Sequence, residues 1–461
     1  MLKLRQGEIL LAAMRDGKHL SRIDKLKLII ALSIPSVLAQ ITSVMMFYID
    51  AAMVGHLGER ASASIGLVET TTWLFGSITS AASMGFAVQI AHKVGAKDFS
   101  GARNVFRHGL AATGTLGIAI AIVAAAVAFP LPALLGGSEE IRHDASLYFL
   151  VYAFALPFMQ LSNLSSNALK SSGNMLVPGA TSIMMCLLDV VFNYLFIYIC
   201  NLGVLGAALG TLSAVVVTAF TAAYFAVFRS SILSLRHRHS QLLWNRAYIR
   251  KAVGLSTPLA LQNIFMGGAA IVSTLIVAPL GNVAIAANTF AITVESLCYM
   301  PGYGIGDAAS TLTGQSLGAG RIDVCKSFAR MTVGIGMAVT AVMGMLMYVF
   351  APEMLGFITP VEEIRVLGTE ALRIEAFAEP MFAAAIVTAC VCVGAGDTKS
   401  PMVINLCSMW IVRLSLAAVL APRYGLPGVW FAMAVELSLR GTLYLVHLAR
   451  GKWIKMKPRG I

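Results

Sequence analysis

Three polar side chains set in apolar runs carry the chemistry open to this chain: Asp50, and the pair Asp189 and Asn193. Four residues separate the pair, so both side chains share one face of a helix. A carboxyl group withdrawn from water can be neutral facing one compartment and ionised facing another. Such a group suits the binding and release of an ion, either a proton on one acid or Na⁺ held by the oxygens of Asp50, Asp189 and Asn193. Asn163 or Asn167, with Thr211, are candidates to complete the cluster, and Glu69 is a candidate for the same cavity, although its spacing does not fix the direction of its side chain. The plain alternative is hydrogen bonding between helices for the amides and Thr211, and for Asp50 a structural acid satisfied by Thr42 or Tyr48. Further along, Glu295, Asp307, Glu375, Glu379, Arg413 and Glu436 also interrupt apolar runs. Arg413 is expected to pair with a carboxylate from the tenth or twelfth apolar stretch, because an unpaired guanidinium is the most costly group to bury. Seven cysteines form no CxxC pair, and His56, His92, His143 and His447 lack ligand spacing. No metal site, no cofactor and no enzymatic centre is expected.

The elements that hold these residues follow from composition. Hydrophobic residues make up 58% and charged residues 12%, against roughly a quarter charged in soluble domains. Most of the surface must face lipid, and apolar stretches of about 20 residues, long enough to span, recur twelve times. The fold class read here is all-α integral membrane, with twelve transmembrane helices in two pseudo-symmetric six-helix lobes. The expected boundaries are a tail at 1–25, an N-lobe at 26–228, a linker at 229–247, a C-lobe at 248–448 and a tail at 449–461. Residues 1–27 are interrupted by charge and give no cleavable signal. Within them, Glu8 to Met14 reads as a short amphipathic turn or as a loose tail.

A net charge of +12 raises the question of nucleic acid. Its distribution answers it: 27 Lys and Arg fall in the tails and even-numbered loops and five in the odd-numbered loops. The positive-inside rule then puts both termini and the linker, with Arg236-His237-Arg238-His239-Ser240, in the cytoplasm. The basic balance reports orientation and no nucleic-acid partner.

The chain also repeats itself at a constant offset, the one that separates Pro35 from Pro258. Leu32-Ser33-Ile34-Pro35 returns as Leu255-Ser256-Thr257-Pro258, Val94-Gly95-Ala96 as Leu317-Gly318-Ala319, and Gly173 with Pro178 as Gly396 with Pro401; near the end the offset drops by one, with Gly203 and Gly206 meeting Gly425 and Gly428. Six spans per copy mean that both copies enter from the same side, the parallel arrangement of a secondary transporter. Pro35 and Pro258 interrupt the first helix of each copy and are candidate hinges, a static kink being the alternative.

Met53-Val54-Gly55-His56-Leu57-Gly58, Met300-Pro301-Gly302, Gly314-Gln315-Ser316-Leu317-Gly318-Ala319-Gly320, Asn193-Tyr194-Leu195-Phe196-Ile197-Tyr198 and Gly206-Ala207-Ala208-Leu209-Gly210-Thr211 together resemble the multidrug and toxic compound extrusion (MATE) family, bacterial type. The likeness runs from about residue 26 to 448. It implies a monomeric exporter in a bacterial inner membrane. Its cargo would be small organic, mostly cationic and amphipathic compounds, exchanged by alternating access against inward H⁺ or Na⁺, with membrane lipids around it. By that resemblance Asp50 stands at the family's helix 1 acid, proposed to bind the coupling ion. Similar members carry a polar pair at the Asp189 and Asn193 spacing, often with Asn first. Some branches also place a Glu in helix 7 and an Asp in helix 10, where this chain has Met266 and Ala384. Rival readings are a flippase for a lipid-linked precursor, disfavoured by the scarcity of Arg and Lys in the first-lobe spans, and, from a different class, an intramembrane enzyme or a channel.

Overall fold

The computed structural model describes residues 2–236 and 245–454, and among these it holds helices and turns without a strand. Residues 237–240 of the basic linker motif and 455–461 of the C-terminal tail lie outside the described residues. The first repeat contains α1 (Leu2–Arg15), α2 (Arg22–Gly55), α3 (Glu59–Gly95), α4 (Phe99–Val127), the short α5 (Leu131–Leu134), α6 (Glu139–Ser172), α7 (Leu176–Asn193) and α8 (Gly203–Tyr224). The second contains α9 (Arg246–Val277), α10 (Asn282–Gly318), α11 (Ile322–Ile358), α12 (Glu362–Glu375), α13 (Glu379–Gly394), α14 (Lys399–Leu406) and α15 (Leu414–Arg450). Turns of π-helix occupy Tyr194–Ile199, Phe225–Arg229 and Cys407–Arg413.

Among the described residues, ten helical runs are long and apolar enough to cross a membrane, and α12 with α13, bent by 60°, makes an eleventh. The last run, Lys399–Arg450, is 52 residues, about 78 Å at 1.5 Å per residue and more than twice a bilayer's hydrocarbon thickness. It is two spans. Gly425 separates them with φ 62° and ψ −146° inside the run, and Pro422 and Pro427 flank it. The count is therefore twelve, as the sequence predicts.

The backbone repeats the sequence offset. Positive φ occurs at Gly58 and Gly281, Lys97 and Gly320, Gly173 and Gly396, and Gly203 and Gly425. The first three pairs keep the Pro35 to Pro258 offset, and the last falls short of it by one, as it does in the sequence. Each pair marks a place where the chain leaves or enters a helix at the same point of both copies.

Contacts divide the chain into two compact units, Met1–Ile41 with Leu261–Ile461, and Thr42–Ala260. The division falls inside α2 and α9, shortly after Pro35 and Pro258, and not at the 229–247 linker. The first part of each opening helix thus belongs to the unit of the other repeat. Helix α2 runs unbroken through Pro35.

The unit Thr42–Ala260 is packed around Phe86, Ile90, Phe106 and Leu164 at one end and Phe149 and Leu156 at the other. The other unit is packed around Trp430, Leu372 and Leu355, and around Phe328, Val387 and Trp453. Small residues let its helices touch, as expected between spans with no hydrophobic drive to associate. At Gly304, a Cβ would meet the Val37 backbone at 2.6 Å. The segment from Glu8 to Met14 is helical and docked, and not a loose tail. Leu11 and Met14 are buried, and Arg321 donates to the carbonyls of Met14 at 3.2 Å and Lys18 at 2.7 Å.

Candidate ion-coupling site

Within the unit Thr42–Ala260, the structure brings together the acid of α2 and the polar pair of α7. The Asn193 amide Nδ2 donates to Asp50 Oδ1 at 3.0 Å and to Asp189 Oδ2 at 3.0 Å. The two carboxyl groups face each other across it. Helical spacing aligns Asp189 with Asn193, and α7 gives way to a π turn immediately after Asn193, a departure from α geometry that recurs at functional sites. Asp189 and Asn193 are fully buried, while Asp50 is partly exposed. Two acceptor oxygens, Asp189 Oδ1 and Asn193 Oδ1, have no hydrogen-bond partner among the described residues.

Two residues join this group that sequence reasoning missed. Gly210 of α8 lies against Asn193, so that a Cβ there would strike the amide oxygen and come within 2.9 Å of the Asn193 nitrogen. The motif Gly206 to Thr211 marked α8 as similar to the family, but only packing reveals which glycine faces the amide. Tyr148 of α6 lies within electrostatic reach of Asp50, Glu69 and Asp189, and its apolar surroundings in sequence gave no signal.

The remaining first-repeat candidates stand apart. Asn163 Nδ2 donates to Thr79 Oγ1 at 3.5 Å, tying α6 to α3. Neither Asn167 nor Thr211, next to Gly210, hydrogen-bonds to the triad, and Glu69 is exposed on α3. Asp50 takes its hydrogen bond from Asn193 on a different helix, rather than relying on Thr42 and Tyr48 of its own.

The second repeat holds a separate cluster. Glu295, Glu375, Glu379 and Glu436 are buried, and the carboxyl groups of Glu295 and Glu375 face each other. Glu375 and Glu379 flank the 60° break between α12 and α13, and both oxygens of Glu379 lack a partner among the described residues. Arg413, expected to form an ion pair with a carboxylate of the tenth or twelfth span, instead directs its NH2 group at Met433 Sδ, with Glu375, Glu436 and Glu295 as electrostatic neighbours. The close ion pair belongs to Arg440, whose Nε lies 3.1 Å from Glu436 Oε1. Asp307 is partly buried on α10, three turns beyond Glu295. The repeat explains the geometry: at the matching points of the first copy, Thr72 and Tyr152 occupy the positions of Glu295 and Glu375, and the Tyr152 hydroxyl donates to the Thr72 carbonyl at 2.7 Å. The two copies keep one contact and fill it with different chemistry.

Among the described residues, no group of three or more His, Cys, Asp or Glu is placed to hold a metal ion. A family model described as MatE matches residues 35–195 and again 258–419, so that its two matches open on the paired prolines Pro35 and Pro258. The chain belongs to the MatE family. It is therefore a multi-pass membrane transporter. The MatE chain is 25% identical over 438 residues to the probable multidrug resistance protein NorM of Thermotoga maritima, covering 93% of each. It is 21% identical to the multidrug resistance protein MdtK of Edwardsiella ictaluri, covering 94% of this chain and 96% of that one. Solved structures share its fold: an outward-facing multidrug resistance MATE family transporter of the MOP superfamily, with a TM-score of 0.88 at 21% identity over 93% of this chain and 96% of that chain, and a Vibrio cholerae MATE transporter variant, with a TM-score of 0.85 at 18% identity over 96% and 98%.

Proposed function

We propose that this protein is a proton-coupled antiporter that exports organic, amphipathic cations by alternating access, with Asp50, Asp189 and Asn193 as the coupling site. The observation that carries this reading is the amide shared by two acids. Two 3.0 Å bonds to one nitrogen hold the acid oxygens within about 6 Å. Two full charges at that separation repel by about 3 kcal/mol at an effective dielectric of 20. A bound proton removes the repulsion, and so does a bound organic cation. Either occupant excludes the need for the other, and coupling requires that antagonism.

Na⁺ coupling is the second reading. The unpartnered oxygens of Asp189 and Asn193 favour it. The direction of the amide favours the proton: Asn193 turns its NH2 group to both acids, and its oxygen faces Gly210. Donors suit acids that lose and regain a proton, and they repel a metal cation. The distribution of Lys and Arg supports an orientation with both termini in the cytoplasm, and the bacterial relatives support the inner membrane as its place.

Everted vesicles loaded separately with a pH or a Na⁺ gradient test the proposal, with ethidium or norfloxacin as cargo. The pH gradient is expected to drive transport alone, and Asp50→Asn to reduce it at least about tenfold, within the usual range of a coupling free energy. Undiminished gradient-driven transport by Asp50→Asn overturns the role given to this acid, and transport driven only by Na⁺ overturns the choice of ion.

A further inference from the structure

At the end of the unit Met1–Ile41 with Leu261–Ile461 that carries the N-terminus, the start of α2 and the first turns of α11 border an open, solvent-facing cavity of about 530 Å³. Arg22, Asp323, Lys326, Ser327, Arg330 and Met331 line it. The α11 members recur at spacings of three and four and so form one stripe of that helix. Lys25, one turn beyond Arg22, donates from Nζ to Ser327 Oγ at 3.0 Å and ties the two helices together at the cavity wall.

Arg60 meets Glu140, Lys93 meets Asp98 and Arg440 meets Glu436, whereas Arg22, Lys326 and Arg330 have no ion-pair partner among the described residues. The nearby Asp24 is taken up in capping α2, exchanging hydrogen bonds with Ser21 at 2.7 to 3.2 Å. Only Asp323 offsets the three cations of the lining.

Both helices that border the cavity also expose small or apolar residues further along. On α2, Ile23, Leu26, Ile30 and Ile34 are exposed at helical spacing. On α11, one and two turns beyond Arg330, stand Gly334, with open space where a Cβ would be, and the exposed Ala338.

We propose that this cavity binds the phosphate headgroup of an anionic phospholipid from the leaflet on the side of the termini, with its acyl chains along α2 and the small residues of α11. The guanidinium forks of Arg22 and Arg330 match phosphate geometry. Any phosphate satisfies the charges, but only a lipid also covers the apolar stripe. A zwitterionic lipid lacks the net charge to balance the lining.

Native mass spectrometry of the full-length protein, released from mixed phosphatidylglycerol and phosphatidylcholine vesicles, reads out the bound lipid. Wild type is expected to retain phosphatidylglycerol over phosphatidylcholine. Removing three charges with R22Q/K326Q/R330Q is expected to weaken retention about a hundredfold, from about a fivefold effect for each basic residue near an anionic surface. R246Q/R250Q/K452Q removes as many exposed charges elsewhere and is expected to retain the lipid. Thermal unfolding of both triple variants verifies that they are folded; should the first not fold, R330Q alone carries the test, with about a fivefold loss expected. Retention by the cavity variant equal to wild type overturns the proposal. So does an equal loss in the remote variant, which makes the effect one of general charge, and so does displacement of the lipid by inorganic phosphate, which makes the cavity a site for the free anion.

Discussion

The Asn193 amide hydrogen-bonds to both Asp50 and Asp189, so its replacement isolates what the amide does. Asn193→Ala leaves Asp50 and Asp189 facing each other with no shared donor, and proton-driven efflux is expected to fall at least about tenfold in the vesicle assay. Gly210→Ala reaches the same site from behind. Its methyl group would strike the Asn193 oxygen, and an overpacked site of this kind typically costs about 1 to 3 kcal/mol. A lower unfolding temperature in detergent together with weakened efflux is the expected result, and full efflux would show that the amide position is unimportant. In the second repeat, loss of Arg413 leaves Glu375, Glu436 and Glu295 short of a compensating charge. Arg413→Met is expected to destabilise by about 3 to 5 kcal/mol. Glu379→Gln, at an acid without a partner, is expected to leave the unfolding temperature unchanged or raised. Asp50, Asp189 and Asn193 stood out in the sequence because acids and amides are conspicuous in apolar runs, and the structure places them together. Gly210 and Tyr148 were not, since nothing local marks a glycine or an aromatic ring as the neighbour of an acid on another helix.

The elements were legible to the extent that hydrophobicity defines them. Twelve spans and the places where they turn follow from apolar length and from glycines at the repeat offset. The interruptions within spans did not follow. Pro35, a candidate hinge by type, sits in a continuous helix, whereas the sharp 60° bend lies at Ala376 to Ala378, between two glutamates and just before Pro380, which has no N–H to offer the Ala376 carbonyl. The π turn after Asn193 was equally silent, because a single wide turn leaves the apolar pattern almost unchanged. Gly425 tests the opposite case, where residue type and backbone agree. At φ 62° and ψ −146° a side chain is strained by about 1 to 3 kcal/mol. Gly425→Ala is expected to lower the unfolding temperature, and an unchanged value would place the separation of the last two spans elsewhere.

For the molecule as a whole, the charge count makes a claim about sidedness that labelling can decide. Cys200 is a free, exposed thiol in the turn between α7 and α8, on the side opposite both termini by the positive-inside reading. A membrane-impermeant maleimide is expected to label Cys200 in cells with a permeabilised outer membrane. A cysteine placed at exposed Lys452 is expected to react only after the inner membrane is opened, and the reverse pattern would invert the topology. The internal duplication was plain from sequence, and the backbone turns and the doubled family match reproduce it. The grouping of residues was less plain. Six-span halves follow from connectivity, but contacts assign the first part of each opening helix to the other unit, a preference that resides in side-chain packing such as Val37 against Gly304.

The Thr72 and Tyr152 contact, answered by Glu295 and Glu375 in the sister copy, bears on how such a chain evolves. After a gene doubles within itself, each daughter segment can drift because its twin still supports the ancestral task. Here one copy is neutral at that contact while the other carries acids and two arginines nearby. A hybrid stitched from two first-repeat segments would preserve the architecture while erasing that polarity, so ancestry alone does not make the two segments interchangeable.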